Sequence, residues 1–488
     1  VSLACNSQQG IYLGYHDPIS PTTAILARRS HEEAIFQLGF IRYPFVMDGE
    51  HCEVGDYILK FHDGDWHQGA KCYGEFAKTK IKNMSSPEWI QGIPAVHFSF
   101  HISQNRHINN SYDDLLNKFR QNQKMGLNLT LFVFGWVKSG FDNGYPEYDP
   151  DPRLGGREKL KEIITAITQD GGKVILYTQG RLIDKQTDYY QQIGQKLCLK
   201  NEYGTEYIDE YSFNAEGTIY PGKVFALACP ATEEWFEQLK YQIDIVMDLG
   251  ASGILFDQIA GDPPFLCFDK RHPHGKPDMA FDAKIELLNR LQQYAESRDP
   301  QFIIMSELIC DVYLQCVDLT HGMATFREDN KPVRYLPEMY KYVFPRHRIT
   351  SRNANTIQAY HQSFAMGFIF EYRDNLSDLN YLESLLKMRL KLERFLVRGT
   401  FVDTDFVSWD PASLFIKVFV AENQQEKALI VANEAAERIT AKISITRIVE
   451  EWQLLRPTCE EEIRIKTPLA QGLQLDLEPA ELLVAIVK

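Results

Sequence analysis

From about Ile93 onward, short apolar runs alternate with longer stretches whose apolar residues recur every three or four positions. The runs are AVHFSFH (95–101), LTLFVFGW (129–136), KVILYT (173–178), GILFD (253–257), FIIMSE (302–307), GMATF (322–326), YVF (342–344) and GFIFE (367–371). A strand covered on both faces meets no water, so it reads as a near-continuous apolar run and not as an alternation. The stretches between them, such as SYDDLLNKFRQNQKMG, EKLKEIITAITQDGG, TEEWFEQLKYQIDIVMDLG and DAKIELLNRLQQYAESRD, have the period of amphipathic helices. Eight strands alternating with helices predict an α/β fold, a closed (β/α)8 TIM barrel, over residues 91–398.

The flanks follow a different pattern. In residues 1–90, GIYLGYHD, TAILARR and AIFQLGFIRYPFVMD read as strands separated by turn residues. A connecting helix then begins behind Asp65, which can cap it, with Ala70, Tyr73, Phe76 and Ala77 on its apolar face. This region predicts a partial β-sandwich. The stretch 179–230 is too long for a simple crossover and predicts an inserted β excursion. Beyond 399 the helical period disappears, and LFIKVFVA, KALIVAN, ITAKISI and ELLVAIVK predict a C-terminal antiparallel β-sandwich over 399–488.

Composition narrows the function. The net charge is −14, which disfavours a nucleic-acid partner and attraction to anionic lipid. No run approaches the ~18 apolar residues of a membrane span. Nine cysteines stand at scattered spacings without a CxxC pair, which points to a reduced, cytoplasmic protein with the thiols as small buried apolar groups. The start VSLACNSQQG lacks a charged n-region and a long apolar core, so it does not read as an intact signal peptide; the first residue is Val and not Met, which fits a processed or trimmed N-terminus and keeps secretion open. There is no GxGxxG, Walker-type or GxSxG motif, and no cofactor is expected.

A barrel enzyme works at the C-terminal ends of its strands, where the βα loops gather. GILFD closes with Asp257 and FIIMSE closes with Glu307, on the fourth and fifth predicted strands. Neighbouring strands lie ~4.8 Å apart, so the two carboxyls can face each other across a small ligand. Such a pair suits glycosidic cleavage: one carboxyl gives a proton to the leaving oxygen while the other, ionised, attacks or stabilises the cationic anomeric carbon.

Beyond the acids, GFDNGYPEYDPDPRLGG (140–156), VILYTQGRLID (174–184), GILFDQIAG (253–261), CFDKRHPHGKP (267–277) and MSELICD (305–311) form a local pattern. It resembles a group of barrel glycosidases that includes the endo-α-N-acetylgalactosaminidases of glycoside hydrolase family 101. GDWHQGAKCYGEFA is similar to the segment that enters the barrel in that group. The resemblance covers residues 55–375. It implies that Asp257 is the nucleophile and Glu307 the acid/base of a retaining α-glycosidase. The chain is much shorter than a family 101 enzyme and lacks its accessory modules, which sets the mucin-type substrate apart from what is implied.

Further residues are candidates for binding a carbohydrate substrate. The loop after the second strand carries Trp136, Asp142, Tyr145 and Tyr148, whose aromatic faces can stack on a sugar while the acid accepts from hydroxyls; an ordinary Gly/Pro-rich loop is the alternative. Arg181 could bind hydroxyls or depress a carboxylate pKa, or form a salt bridge to the acidic 202–216 segment. His272 and His274 stand in a Pro-rich loop, with sugar hydrogen bonding favoured over a metal because no further ligand stands nearby in sequence. Glu371 ends the eighth strand and could touch substrate or pair with Arg373. His97 and His101 share a strand face as a core and a rim histidine. Two other functions are compatible with the sequence: a metal-dependent barrel hydrolase using His97 or His101 with His272 and His274, and a barrel that binds carbohydrate without catalysis.

Overall fold

The computed structural model describes residues 2–4, 8–16, 23–29, 36–53, 55–80, 86–125, 130–211, 214–215, 218–219, 222–261, 265–324, 335–352, 356–373, 378–446, 451–466 and 472–487. The barrel strands are β1 (Ala95–Phe100), β2 (Thr130–Phe134), β3 (Lys173–Gln179), β4 (Gly253–Asp257), β5 (Ile303–Glu307), β6 (Leu319–Ala324), β7 (Ile349–Arg352) and β8 (Phe370–Tyr372). They form one sheet in the order β7-β6-β5-β4-β3-β2-β1-β8. A parallel bridge between Thr350 and Ile369 brings its two ends together, with Ser351 N–H donating to Ile369 O at 2.8 Å. The result is a nearly closed eight-stranded parallel barrel with additional antiparallel sheets.

The chain forms two compact units. One comprises Val1–Ser86, Phe100–Leu116 and Val133–Asp318; the other comprises Pro87–Ser99, Asn117–Phe132 and Leu319–Lys488. In the first unit, β4 is the stiff centre: Ile254, Leu255 and Phe256 are all 0% exposed. Burying a side chain of this size contributes about 1.5–3 kcal/mol. The helices Gly156–Gln169, Glu233–Asp248 and Met279–Arg298 pack their apolar faces around this core, with Ile164, Leu239 and Leu288 buried. Strands Leu182–Asp184, Ile208–Tyr211 and Lys223–Leu227 form the expected inserted antiparallel sheet. The N-terminal residues form antiparallel pairs, including Gln9–His16 with Asp56–Asp63 and Ala24–Arg29 with Phe36–Ile41. Asp65 starts the helix Trp66–Lys80 by accepting from His67 N–H at 3.1 Å.

In the second unit, a six-stranded and a three-stranded antiparallel sheet enclose Ile416, Val418, Leu429, Val431, Ile443, Leu454 and Leu477. This is the C-terminal sandwich that the alternating pattern predicts.

One strand differs from expectation. YVF lies at the end of the helix Leu336–Val343, which Pro337 helps to start, and β7 is ITSR instead. Ile349, Thr350 and Ser351 are all buried despite two hydroxyl side chains. Thr350 Oγ1 accepts from Gly322 N–H at 3.1 Å, so its polar group is satisfied within the barrel and an apolar side chain is not required. The predicted sixth strand is shifted towards the N-terminus, and its last residues, 325–326, fall outside the described residues. Among the described residues, no helix is long and apolar enough to cross a membrane.

Candidate active site

Strand register sets the site. Asp257 pairs with Gln179 on β3, and Phe256 pairs with Ser306 on β5. The next position along β4 and β5 sets Asp257 level with Glu307. Side chains alternate along a strand, so Tyr177 and Gln179 share the Asp257 face. Tyr177 Oη donates to Asp257 Oδ2 at 2.9 Å and Gln179 Nε2 donates to the same oxygen at 3.1 Å. Glu307 meets Asp257 through a hydrogen bond between the two carboxyls.

The backbone is drawn tight around this pair. Gln258 and Leu308, which follow the two acids, both take left-handed conformations, with φ of 61° and 63°. Such conformations cost of order 1–3 kcal/mol and persist only where the surroundings enforce them. Part of that enforcement is close approach. A Cβ on Gly261 would stand 2.7 Å from Glu307 O and 2.1 Å from Leu308 Cβ. The loop after β4 can therefore pass over the end of β5 only with glycine at this position. Ser306 Oγ accepts from Ala260 N–H at 3.1 Å and fastens the same crossing.

A third carboxyl joins the pair. Asp142 has φ 51° in the loop after β2, and Tyr145 Oη accepts from its N–H at 2.8 Å and donates to its Oδ1 at 3.1 Å. Gly144 N–H donates to Asp184 Oδ2 at 2.9 Å, which fixes this loop to the inserted sheet. Tyr145 Oη also lies 3.3 Å from Tyr177 Oη. Two tyrosines thus connect Asp142 to Asp257.

Crowding three acids in a low-dielectric pocket disfavours full ionisation. Burial, the charge of Glu307 and the shared hydrogen bond push the Asp257 carboxyl well above the usual range, against the Tyr177 hydrogen bond. Burial, with a smaller contribution from Glu307, pushes Asp142 up to about 7, although Tyr145 opposes it. Burial also raises the Tyr177 phenol, so it stays a donor. The contact between the two carboxyls requires a proton between them, because two carboxylates can only accept.

The other predicted residues take varied positions. Trp136 is 1% exposed, donates from Nε1 to Tyr177 O at 2.8 Å and stacks on Tyr148 at 5.7 Å. Its faces are spent on packing, so it supports Tyr177 and offers no platform to a sugar. Arg181 pairs with Asp209 of the insertion at 2.5 Å and donates to Gln258 Oε1 at 3.1 Å. The salt bridge is therefore the reading the geometry favours, and the donors to Asp257 are Tyr177 and Gln179. His272 and His274 gather with Cys229 and Cys267, and none of their described contacts is with the acids. Glu371, in the second unit, faces His321 Nδ1 at 3.0 Å and Arg373 at 3.8 Å. His97 Nδ1 contacts Tyr372 Oη at 3.0 Å, and His101 is buried with Nδ1 3.2 Å from Asn110 O. Among the described residues the two do not form a metal cluster.

Tyr177 and Gln179 were not singled out from sequence, although the signal was present: a strand-end pair spaced by two in KVILYTQ, on the strand before Asp257. Tyr145 stands out in sequence as a loop aromatic, and the structure gives its hydroxyl to Asp142.

The fold has solved counterparts. A family 36 α-galactosidase of Geobacillus stearothermophilus, in complex with stachyose, superposes with a TM-score of 0.62 at 10% identity, covering 99% of this chain and 68% of that one. An α-N-acetylgalactosaminidase of Bifidobacterium bifidum, in complex with GalNAc, gives 0.64 at 12% identity, covering 87% of this chain and 71% of that one. In sequence, a Bacteroides thetaiotaomicron protein provisionally named a glycoside hydrolase is 32% identical over 152 residues, 30% of this chain. The match spans only 21% of that protein. A family model covers most of the barrel, and on that match the chain belongs to the family described as a domain of unknown function, DUF6259, over residues 54–352.

Proposed function

We propose that the protein is a retaining glycoside hydrolase of α-glycosidic bonds, with Asp257 as nucleophile and Glu307 as acid/base. The observation that carries this reading is the level pair of carboxyls in hydrogen-bond contact on adjacent strands. Retaining pairs stand about 5–5.5 Å apart and inverting pairs about 6.5–9.5 Å, the extra gap holding a water. Carboxyls in contact when no sugar intervenes must part by about 2–3 Å to reach the first spacing and by roughly 3.5 Å or more to reach the second, so the contact favours the closer class.

The two acids differ in their donors. Asp257 Oδ2 receives Tyr177 Oη and Gln179 Nε2, which favour an anion there. The shared proton then belongs on Glu307 when substrate separates the pair. Glu307 gives it to the glycosidic oxygen as the bond to the anomeric carbon breaks, and Asp257 attacks that carbon from the opposite side. In the second half, Glu307 takes a proton from water as the oxygen of that water displaces Asp257. In this reading Asp142, beside the pair, accepts from sugar hydroxyls.

The solved proteins of similar fold carry α-galactosidase and α-N-acetylgalactosaminidase names, and the sequence motifs resemble another α-glycosidase group. Both favour α-linked galactose or N-acetylgalactosamine as the first sugars to try. The test is a panel of aryl α- and β-glycosides with wild type, Asp257→Asn and Glu307→Gln. The proposal expects turnover of an α-glycoside that both substitutions abolish. Unchanged turnover in either variant would remove that residue from the mechanism.

A further inference from the structure

A second constellation in the first unit has no part in this mechanism. The Cys229 and Cys267 sulfurs and one ring nitrogen each of His272 and His274 all lie within 4.8 Å of one another. We propose that these four side chains bind a zinc ion in a closed tetrahedral site that anchors the loop following Asp257.

Four lines of observation support it. The first is spacing. Zinc bonds of about 2.3 Å to sulfur and 2.0–2.1 Å to nitrogen imply ligand–ligand edges of roughly 3.3–3.8 Å in a tetrahedron. Cys267 Sγ lies 3.3 Å from His272 Nδ1, so the cluster is already close to that size.

The second is ring orientation. His272 Nε2 lies 2.9 Å from Lys196 O. A carbonyl only accepts, so Nε2 carries the hydrogen and Nδ1 presents its lone pair to the cluster. A ligand histidine held by a carbonyl behind it is the usual outer-shell arrangement of metal sites.

The third is an unmet need. Both ring nitrogens of His274 are sealed from solvent without a hydrogen-bond partner. Leaving a polar group in that state is costly, and one bond to a metal removes the cost for the nitrogen that faces the cysteines.

The fourth is chemistry. Two thiolates neutralise a divalent ion, and the S2N2 set is that of structural zinc. All four positions are filled by protein, so the site keeps no open position for substrate or water.

The placement gives the ion its role. Cys229 follows the inserted strand Lys223–Leu227, and its N–H donates to Leu197 O at 2.8 Å. Cys267, His272 and His274 lie between β4 and the helix Met279–Arg298, and Phe268 N–H donates to Lys200 O at 2.8 Å. The ion would cross-link these segments, reinforcing the backbone hydrogen bonds and the Lys200–Asp269 ion pair at 3.1 Å that already join them.

The test uses untagged full-length protein purified with a thiol reductant. Elemental analysis should find one zinc per chain. After chelation, cobalt(II) should restore one ion per chain, with thiolate-to-cobalt charge-transfer absorption and the intense visible bands of a tetrahedral centre. Cys267→Ser and His274→Ala should weaken zinc by more than the roughly 10–100-fold that loss of an outer-shell partner costs. The wild-type result stands even if a variant fails to fold. Wild type that neither carries nor takes up zinc or cobalt at one per chain would overturn the proposal. So would a Cys229–Cys267 disulfide in protein kept reduced throughout.

Discussion

Replacing Asp142 with Asn isolates the electrostatic cost of the carboxyl cluster. Burial first, with Glu307 adding to it, raises Asp142 from 3.8 to about 7. A displacement of that size corresponds to about 4 kcal/mol between the ionised and neutral folded forms. Asp142 is not fully sealed, so solvent relaxation should leave about 1–2 kcal/mol of it measurable. The sign follows from proton uptake. A folded carboxyl that holds its proton more tightly than the unfolded one contributes stability that is fully present below the unfolded pKa. That contribution is lost as pH rises from about 4 to about 7 and is constant above. Asparagine cannot ionise, still accepts from Tyr145, and tolerates the 51° φ. Asp142→Asn should therefore match wild type near pH 4 and pull ahead as pH rises. Above about pH 8 it should melt ~2–8 °C higher, taking 2–4 °C per kcal/mol. Thermal unfolding across this range, followed by calorimetry, measures it. A variant that melts at or below wild type at pH 8, or that differs by the same amount at every pH, would refute the reasoning.

Three further substitutions test the supports of the site. Tyr177→Phe removes a donor to the Asp257 anion; a hydrogen bond to a charged group is worth about 1.5–3 kcal/mol, so kcat should fall roughly 10–100-fold. The acidic limb of the pH profile should also move to higher pH, because the anion is less stabilised. Trp136→Phe loses the bond to Tyr177 O; it should lower the melting temperature and kcat while leaving KM unchanged, since Trp136 does not face the sugar. Gly261→Ala forces a methyl against Glu307 O and Leu308; overpacking of this kind costs about 1–3 kcal/mol, and kcat should fall more than stability alone explains, as measured on the folded fraction.

The barrel is readable in sequence wherever its strands are buried in apolar side chains. GILFD coincides with β4 residue for residue. ITSR is not readable, because Thr350 satisfies its hydroxyl inside the barrel, and YVF has the look of a strand but is helical. Asp257 and Glu307 stand out because acids that close apolar runs are conspicuous. Tyr177 and Gln179 do not, since neither residue type is unusual near a strand end, and only the register with Asp257 reveals them. Trp136 misleads in the opposite direction: an aromatic residue beside a loop could be a platform or a wedge, and its indole N–H bond to Tyr177 O makes it a wedge. The cysteine–histidine cluster is hidden by distance along the chain, because Cys229 reaches Cys267 only after a helix and a strand have intervened.

The most direct measurement of the central claim is proton NMR of the first sugar released from the best aryl α-glycoside, before mutarotation. Wild type should release the α anomer. Asp257→Ala should be inactive alone and, with azide present, should yield the β-glycosyl azide. Initial release of the β anomer by wild type, or turnover that survives loss of Asp257 without azide, would contradict the assignment of Asp257 as a nucleophile in a retaining site.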